Sequence, residues 1–221
     1  MTEPQPPAAA GIVRWSPPRR RGARAFAFQA ETAGRRGAHP HLDWVTTRSR
    51  LSAAACDTVT ALGRSMPQEA PTVVGGATLN DHRVGRVHPL PDVLATQPIY
   101  SLMWEVARDA AERHYHLAIT GIARRPHYVE YEAGYGHFHW HNDYSHESEQ
   151  APRKLTVVLQ LSDGADYAGG DLEVFDVEPR ALPRERGSIL CLPSFVPHRV
   201  TPVTAGTRRI VVAWISGPRL L

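Results

Sequence analysis

Residues 134–143 read GYGHFHWHND, the densest concentration of ligand-type side chains in a chain of 221 residues. His137, His139, His141 and Asp143 alternate there with Phe138, Trp140 and Asn142. Residues two apart on an extended strand point the same way. The spacing therefore predicts one strand face bearing three imidazoles and a carboxylate. Burying such a face is costly, because neutral imidazoles still need hydrogen bonds and a carboxylate needs a cation. A divalent metal meets both needs. A wet strand edge with surface histidines would give the same string, so a further ligand has to be found. His198 is that candidate, after the apolar run GSILCLP (187–193) and a Pro-flanked turn; the plain alternative is a histidine that caps a barrel mouth. Ten residues on, Arg208 opens the alternating stretch RRIVVAWIS. Two antiparallel strands with a short connection would bring His198 and Arg208 to one pocket.

Two neutral imidazoles and one carboxylate on one face of a metal leave open coordination positions, an arrangement suited to non-haem Fe(II). An arginine in the same pocket offers a rigid fork that grips a carboxylate in bidentate fashion. Metal, open positions and anion clamp together fit a small 2-oxo diacid.

The elements that must position these groups fall in two blocks. Residues 47–64 and 98–113 carry apolar residues at helical spacing, with Gly63 as a stop and Pro98 near a first turn. From about residue 115 short Val-, Ile- and Leu-rich runs take over: 117–122, 127–132, 155–161, 171–175, 188–192 and 208–216, separated by glycine-containing turns. Helices followed by many short strands predict an α+β chain whose catalytic half is a β-sandwich or barrel. Residues 1–40 are rich in Pro, Gly, Ala and Arg and read as a mostly irregular N-terminal segment, with 23–28 as one short strand.

Composition narrows the class. With 42% apolar and 21% charged residues the chain is an ordinary globular one. No run approaches the roughly 18–20 apolar residues that span a bilayer, so no membrane partner is expected. The formal charge of +3 combines +5 in the first 40 residues, which hold seven arginines against Glu3 and Glu31, with −2 in the rest of the chain. That tail reads as solvated, and nucleic acid is not an expected partner. Cys56 and Cys191 lack metal spacing and fit a reducing compartment. With no apolar leader, the expected location is cytoplasmic.

Residues from about 48 to 218 resemble iron(II)/2-oxoglutarate-dependent dioxygenases of the prolyl-4-hydroxylase-like group. The text that carries the resemblance is Tyr131 to Gly134, His141 to Asp143, RKLTVVLQLSD (153–163), YAGGDLEVF (167–175) and residues 187–214. It implies a double-stranded β-helix, or jelly roll, with N-terminal helices packed on one sheet, and a dioxygenase domain over 41–221. It implies His141, Asp143 and His198 as metal ligands, Arg208 as the 2-oxoglutarate anchor, and Tyr131 and Gln160 as further cosubstrate contacts. The cofactors implied are Fe(II), 2-oxoglutarate and O2, with room for ascorbate. The expected reaction is hydroxylation of an aliphatic C–H of an amino acid, a peptidyl residue or a small natural product, with succinate and CO2 as coproducts. Leu172 stands where collagen-type prolyl hydroxylases usually carry threonine, and Arg208 where that subgroup carries lysine. His137 and His139 read as non-ligands, Arg209 as solvated, Trp214 as core, and 144–152 as a loop that sets substrate choice. Two other readings compete. A cupin-type metalloprotein would use His139, His141, Glu147 and His198 and no 2-oxoglutarate. A non-catalytic binding protein would keep the fold and recruit partners through its basic tail.

Overall fold

The run RKLTVVLQ is buried along its whole length because it lies at the centre of a sheet with material on both faces. The structure is a computed structural model that describes residues 28–29, 44–47, 51–69, 82–144 and 152–218. In chain order the strands are β1 (Phe28–Gln29), β2 (Val45–Thr47), β3 (Arg83–Val84), β4 (Arg86–Pro89), β5 (Gly121–Ile122), β6 (His127–Glu132) and β7 (His137–His141). There follow β8 (Arg153–Gln160), β9 (Tyr167–Gly169), β10 (Leu172–Phe175), β11 (Pro179–Ala181), β12 (Ile189–Pro193), β13 (His198–Val200) and β14 (Val203–Ser216). Among the described residues they form two antiparallel sheets. The major one runs β1-β2-β12-β8-β14-β6-β4, with β5 and β9 also on β14; the minor one runs β11-β10-β13-β7-β3. This is a two-sheet sandwich of jelly-roll type.

Two helices precede most of the strands: α1 (Ala53–Ser65) and α2 (Gln97–Ala110), the latter running on into a π-helical turn, Ala111–Tyr115. Ser52 caps α1 by accepting the Ala55 N–H at 3.2 Å. Met103, Val106, Ala107 and Ala110 of α2 share one buried cluster with Leu155, Val157 and Leu159 of β8 and with Val211, Ala213 and Ile215 of β14. The opposite side chains of the same strands, Val158, Ile210, Val212 and Trp214, join Leu172, Val174 and Val200 of the minor sheet in a second cluster. Strand alternation thus divides one sheet between two cores.

Several sequence expectations change. The helix expected over 47–64 starts at 53, because Thr47 is still paired with Ile189 of β12. Gly63 does not stop α1. It is buried inside the helix, where an added Cβ would lie 2.3 Å from Cγ of Tyr128, so the residue permits close approach of helix and sheet. The strand expected over 117–122 shrinks to Gly121–Ile122. β2, β3, β4, β9, β11 and β13 were not foreseen; they are two to four residues long and too short to show a period. The expected strand over 23–28 lies outside the described residues apart from Phe28, which with Gln29 adds an edge strand to β2. Most of 1–40 and of the loop 144–152 also lies outside them. No helix among the described residues is long and apolar enough to cross a membrane.

Candidate active site

The alternation predicted for GYGHFHWHND holds only in part. β7 pairs with β13 so that His141 faces His198 and Phe138 faces Val200. Three steps on β7 therefore match two on β13, which is a β-bulge. The bulge inverts the parity of the strand. Phe138 and His141 both line the inter-sheet cavity, and their rings stack at 3.5 Å with 17° between planes. His139 is exposed, and its ring lies 4.7 Å from that of His137. The expected face of three imidazoles and a carboxylate does not form. His141 and Asp143 remain together because Asp143 has already left the strand.

What converges is His141, Asp143 and His198, whose donor atoms lie within 4.8 Å of one another. Nε2 of His198 is 3.3 Å from one carboxylate oxygen of Asp143, and Nε2 of His141 is 3.8 Å from the other. Each imidazole is fixed from behind. Nδ1 of His141 donates to the His139 carbonyl at 2.7 Å, and Nδ1 of His198 donates to the Val196 carbonyl at 2.9 Å. A carbonyl only accepts, so both Nδ1 atoms carry hydrogen and both Nε2 lone pairs face Asp143, the tautomer a metal requires. The Thr156 hydroxyl donates to Asp143 at 2.7 Å and fixes the carboxylate.

The electrostatics agree with a cation-binding role. Burial, with His198 alongside, pulls His141 down to about 3, so this imidazole is neutral at physiological pH. Burial also acts to pull His198 down, but the adjacent Asp143 carboxylate outweighs it and raises that imidazole. Burial acts to raise Asp143, yet the two imidazoles and Arg153 hold it well below the usual carboxylate range. A divalent ion held by the three groups would supply the counter-charge that the buried Asp143 carboxylate calls for.

Arg208 lies in the same cavity, 1% exposed. Its Nη2 donates to Gln160 Oε1 at 3.3 Å, while Nε and Nη1 have no hydrogen-bond partner among the described residues. Tyr131 pairs with Arg208 across β6 and β14, and its ring centroid lies 5.9 Å from the guanidinium carbon. A buried guanidinium with unused donors is expensive unless an anion satisfies it, so the residues present fit a carboxylate-bearing cosubstrate. Gly169 and Gly170, at φ +65 and +63, make the turn beside it; a Cβ on Gly170 would sit 3.4 Å from Cδ of Arg208. The three-donor set likewise fits a ferrous ion with open positions.

Trp214 and Leu172, read from sequence as core and as a departure from the collagen-type pattern, both line this cavity. Arg209 points away from it, as strand parity requires. It is not simply solvated: its Nε reaches Glu130 at 3.2 Å, a carboxylate also held by Arg64 and Tyr128. In the cupin ligand set His139 lies outside the donor cluster and Glu147 is outside the described residues. Sequence reading missed Thr156, although its even spacing from Gln160 on β8 places both on the cavity face. It also missed Phe138 and Arg83, which the bulge and the short strand β3 bring in.

Residues 126–216 match the family model of the 2OG-Fe(II) oxygenase superfamily. The chain is 41% identical over 63 residues to a PKHD-type hydroxylase of Synechococcus sp. (strain CC9311), covering 28% of this chain and 29% of that one. It is 30% identical over 127 residues to a PKHD-type hydroxylase of Psychrobacter sp. (strain PRwf-1), covering 54% and 49%. It thus spans at most about half the length of these curated relatives. Among solved structures, a Pseudomonas putida prolyl-4-hydroxylase superposes with a TM-score of 0.62 at 19% identity, over 80% of this chain and 93% of that one. A Trichoplax adhaerens prolyl hydroxylase, solved with a hypoxia inducible factor peptide fragment, gives 0.64 at 18% identity, over 78% and 82%. The fold is therefore prolyl-4-hydroxylase-like, and the match to the 2OG-Fe(II) oxygenase superfamily, a family that implies Fe(II), 2-oxoglutarate and O2, falls on residues 126–216, which carry all three converging donors and Arg208.

Proposed function

We propose that this protein is an Fe(II)- and 2-oxoglutarate-dependent dioxygenase that hydroxylates an aliphatic C–H of an amino acid, a peptidyl residue or a small natural product. The observation that carries the reading is the pairing of the His141–Asp143–His198 cluster with a buried, incompletely satisfied Arg208 in one cavity. When bound, iron and 2-oxoglutarate supply the oxidising chemistry, and succinate and CO2 are the coproducts. The protein's part is positioning. The His139 and Val196 carbonyls hold the two ligand imidazoles in the metal-binding tautomer. Thr156 keeps the Asp143 carboxylate aimed at the gap between them. Arg208, steadied by Gln160 and flanked by Tyr131, takes the distal carboxylate of 2-oxoglutarate. Leu172, Val158, Ile210 and Val212 give the cavity dry walls, which strengthen each charge contact and limit side reactions with water.

A peptidyl substrate draws support from the Trichoplax neighbour's peptide complex. The domain is taken to extend over 41–221. A cytoplasmic location fits Cys56 and Cys191, both buried and free. The test is anaerobic assembly with Fe(II) and 2-oxoglutarate, followed by O2 and measurement of succinate. Succinate release by the wild type and its loss in Asp143→Ala support the reading. Metal binding that survives Asp143→Ala, with no use of 2-oxoglutarate, would favour the cupin-type alternative.

A further inference from the structure

Arg208 is not the only guanidinium in the cavity. Arg83, on β3, is 6% exposed and lines the cavity together with Asp143, His198 and Arg208. Its guanidinium carbon sits 4.9 Å over the Phe138 ring, and Phe138 stacks in turn on His141. Among the described residues no carboxylate pairs with Arg83, and its Nε has no hydrogen-bond partner. The aromatic face compensates only a fraction of the hydration that a buried guanidinium gives up. The field around it is positive as well: burial first, then Arg83, Arg124 and Arg153, hold His127 down at about 3. Asp143 is the single acidic residue among those lining the cavity.

Charge balance then points to a missing anion. On the oxygenase reading, the ferrous ion and Arg208 together neutralise the Asp143 carboxylate and both carboxylates of 2-oxoglutarate. Arg83 is left over, buried beside an iron ligand with no counter-charge among the described residues. We infer that Arg83 is a second anion clamp, and that it binds a carboxylate of the primary substrate. The role in substrate choice rests on the oxygenase reading; the anion site itself does not. It narrows the substrate to a carboxylate-bearing one, either a free carboxylic or amino acid or a peptide presenting an acidic group.

The test uses the full chain loaded with Zn(II), a diamagnetic stand-in for iron, and follows the arginine Nε–H signals by NMR. Arg83→Lys and Arg208→Lys identify their own signals by deletion. Addition of 2-oxoglutarate should shift the Arg208 signal; if it does not, the oxygenase reading fails independently of this one. With 2-oxoglutarate saturating, N-acetylglycine should shift the Arg83 signal saturably, and N-acetylglycinamide should require at least ten-fold higher concentration. A capped tripeptide with a central aspartate side chain replaces N-acetylglycine in a parallel arm; whichever carboxylate binds more tightly identifies the source, free acid or peptide. An Arg83 signal that moves with none of these, or equally with acid and amide, overturns the proposal. In that case Arg83 only buttresses Phe138 and His141, and Arg83→Gln would weaken Zn(II) binding without altering any response to carboxylates.

Discussion

β8 and β14 present two faces of opposite character. Toward the helices they offer Leu155, Val157, Leu159, Val211, Ala213 and Ile215, all fully buried and all apolar. Toward the minor sheet the same strands offer Thr156, Gln160, Arg208 and Trp214, also buried but with donors that find no partner among the described residues at Arg208 and at the Trp214 indole nitrogen. The first face contributes stability in the usual way, by removing apolar area from water. The second sacrifices some of that stability by burying charge, which makes sense where a ligand completes the contacts. Burial alone does not distinguish the two; satisfaction of polar atoms does.

Substitutions should separate the faces. The largest effect is expected from Asp143→Ala, which should lower succinate formation by roughly a thousand-fold or more and abolish metal binding, while the thermal midpoint moves little. Loss of stability on the same scale as loss of activity would mean that the cavity face is a structural core after all. Next is Arg208→Leu, expected to raise the apparent KM for 2-oxoglutarate by about a hundred- to a thousand-fold, as removal of one partner of a buried charge pair does. An unchanged KM would assign the cosubstrate to another residue. On the helix side, Leu159→Ala should cost about 3 kcal/mol in denaturant unfolding and leave that KM alone. Gly63→Ala, which drives a methyl into Tyr128, should cost about 2 kcal/mol by overpacking. The smallest effect concerns pH. His127, at about 3 when folded against about 6.5 unfolded, binds its proton more readily in the unfolded chain. Stability of the metal-free protein should therefore fall as pH drops below 6.5, by up to about 1.4 kcal/mol per pH unit from this group. His127→Phe should flatten that slope between pH 6.5 and 5 in urea titrations; an unaltered slope would show that His127 is not buried as a neutral imidazole.

Much of the architecture was legible because it is local. LTVVLQL and RRIVVAWIS announced central strands, and β6 matches its expected span of 127–132. The short strands were not legible, since two to four residues cannot display a period and β2, for example, exists only through its pairing with β12. Gly63 looked like a helix end because the sequence does not show the ring that occupies its missing side chain.

The site divides along the same line. Residue types and spacing by themselves singled out His141, Asp143, His198 and Arg208 as side chains suited to a metal and an anion, and strand parity determined that Arg208 and Arg209 point apart. Tertiary structure alone decided that a bulge takes His139 away from His141, that Thr156 holds Asp143, and that Arg83 from a two-residue strand enters the same cavity. Parity along a strand is set by the backbone of neighbouring residues. A bulge and the closure of one sheet over another depend on which strands pair, and residues far apart in the chain settle that.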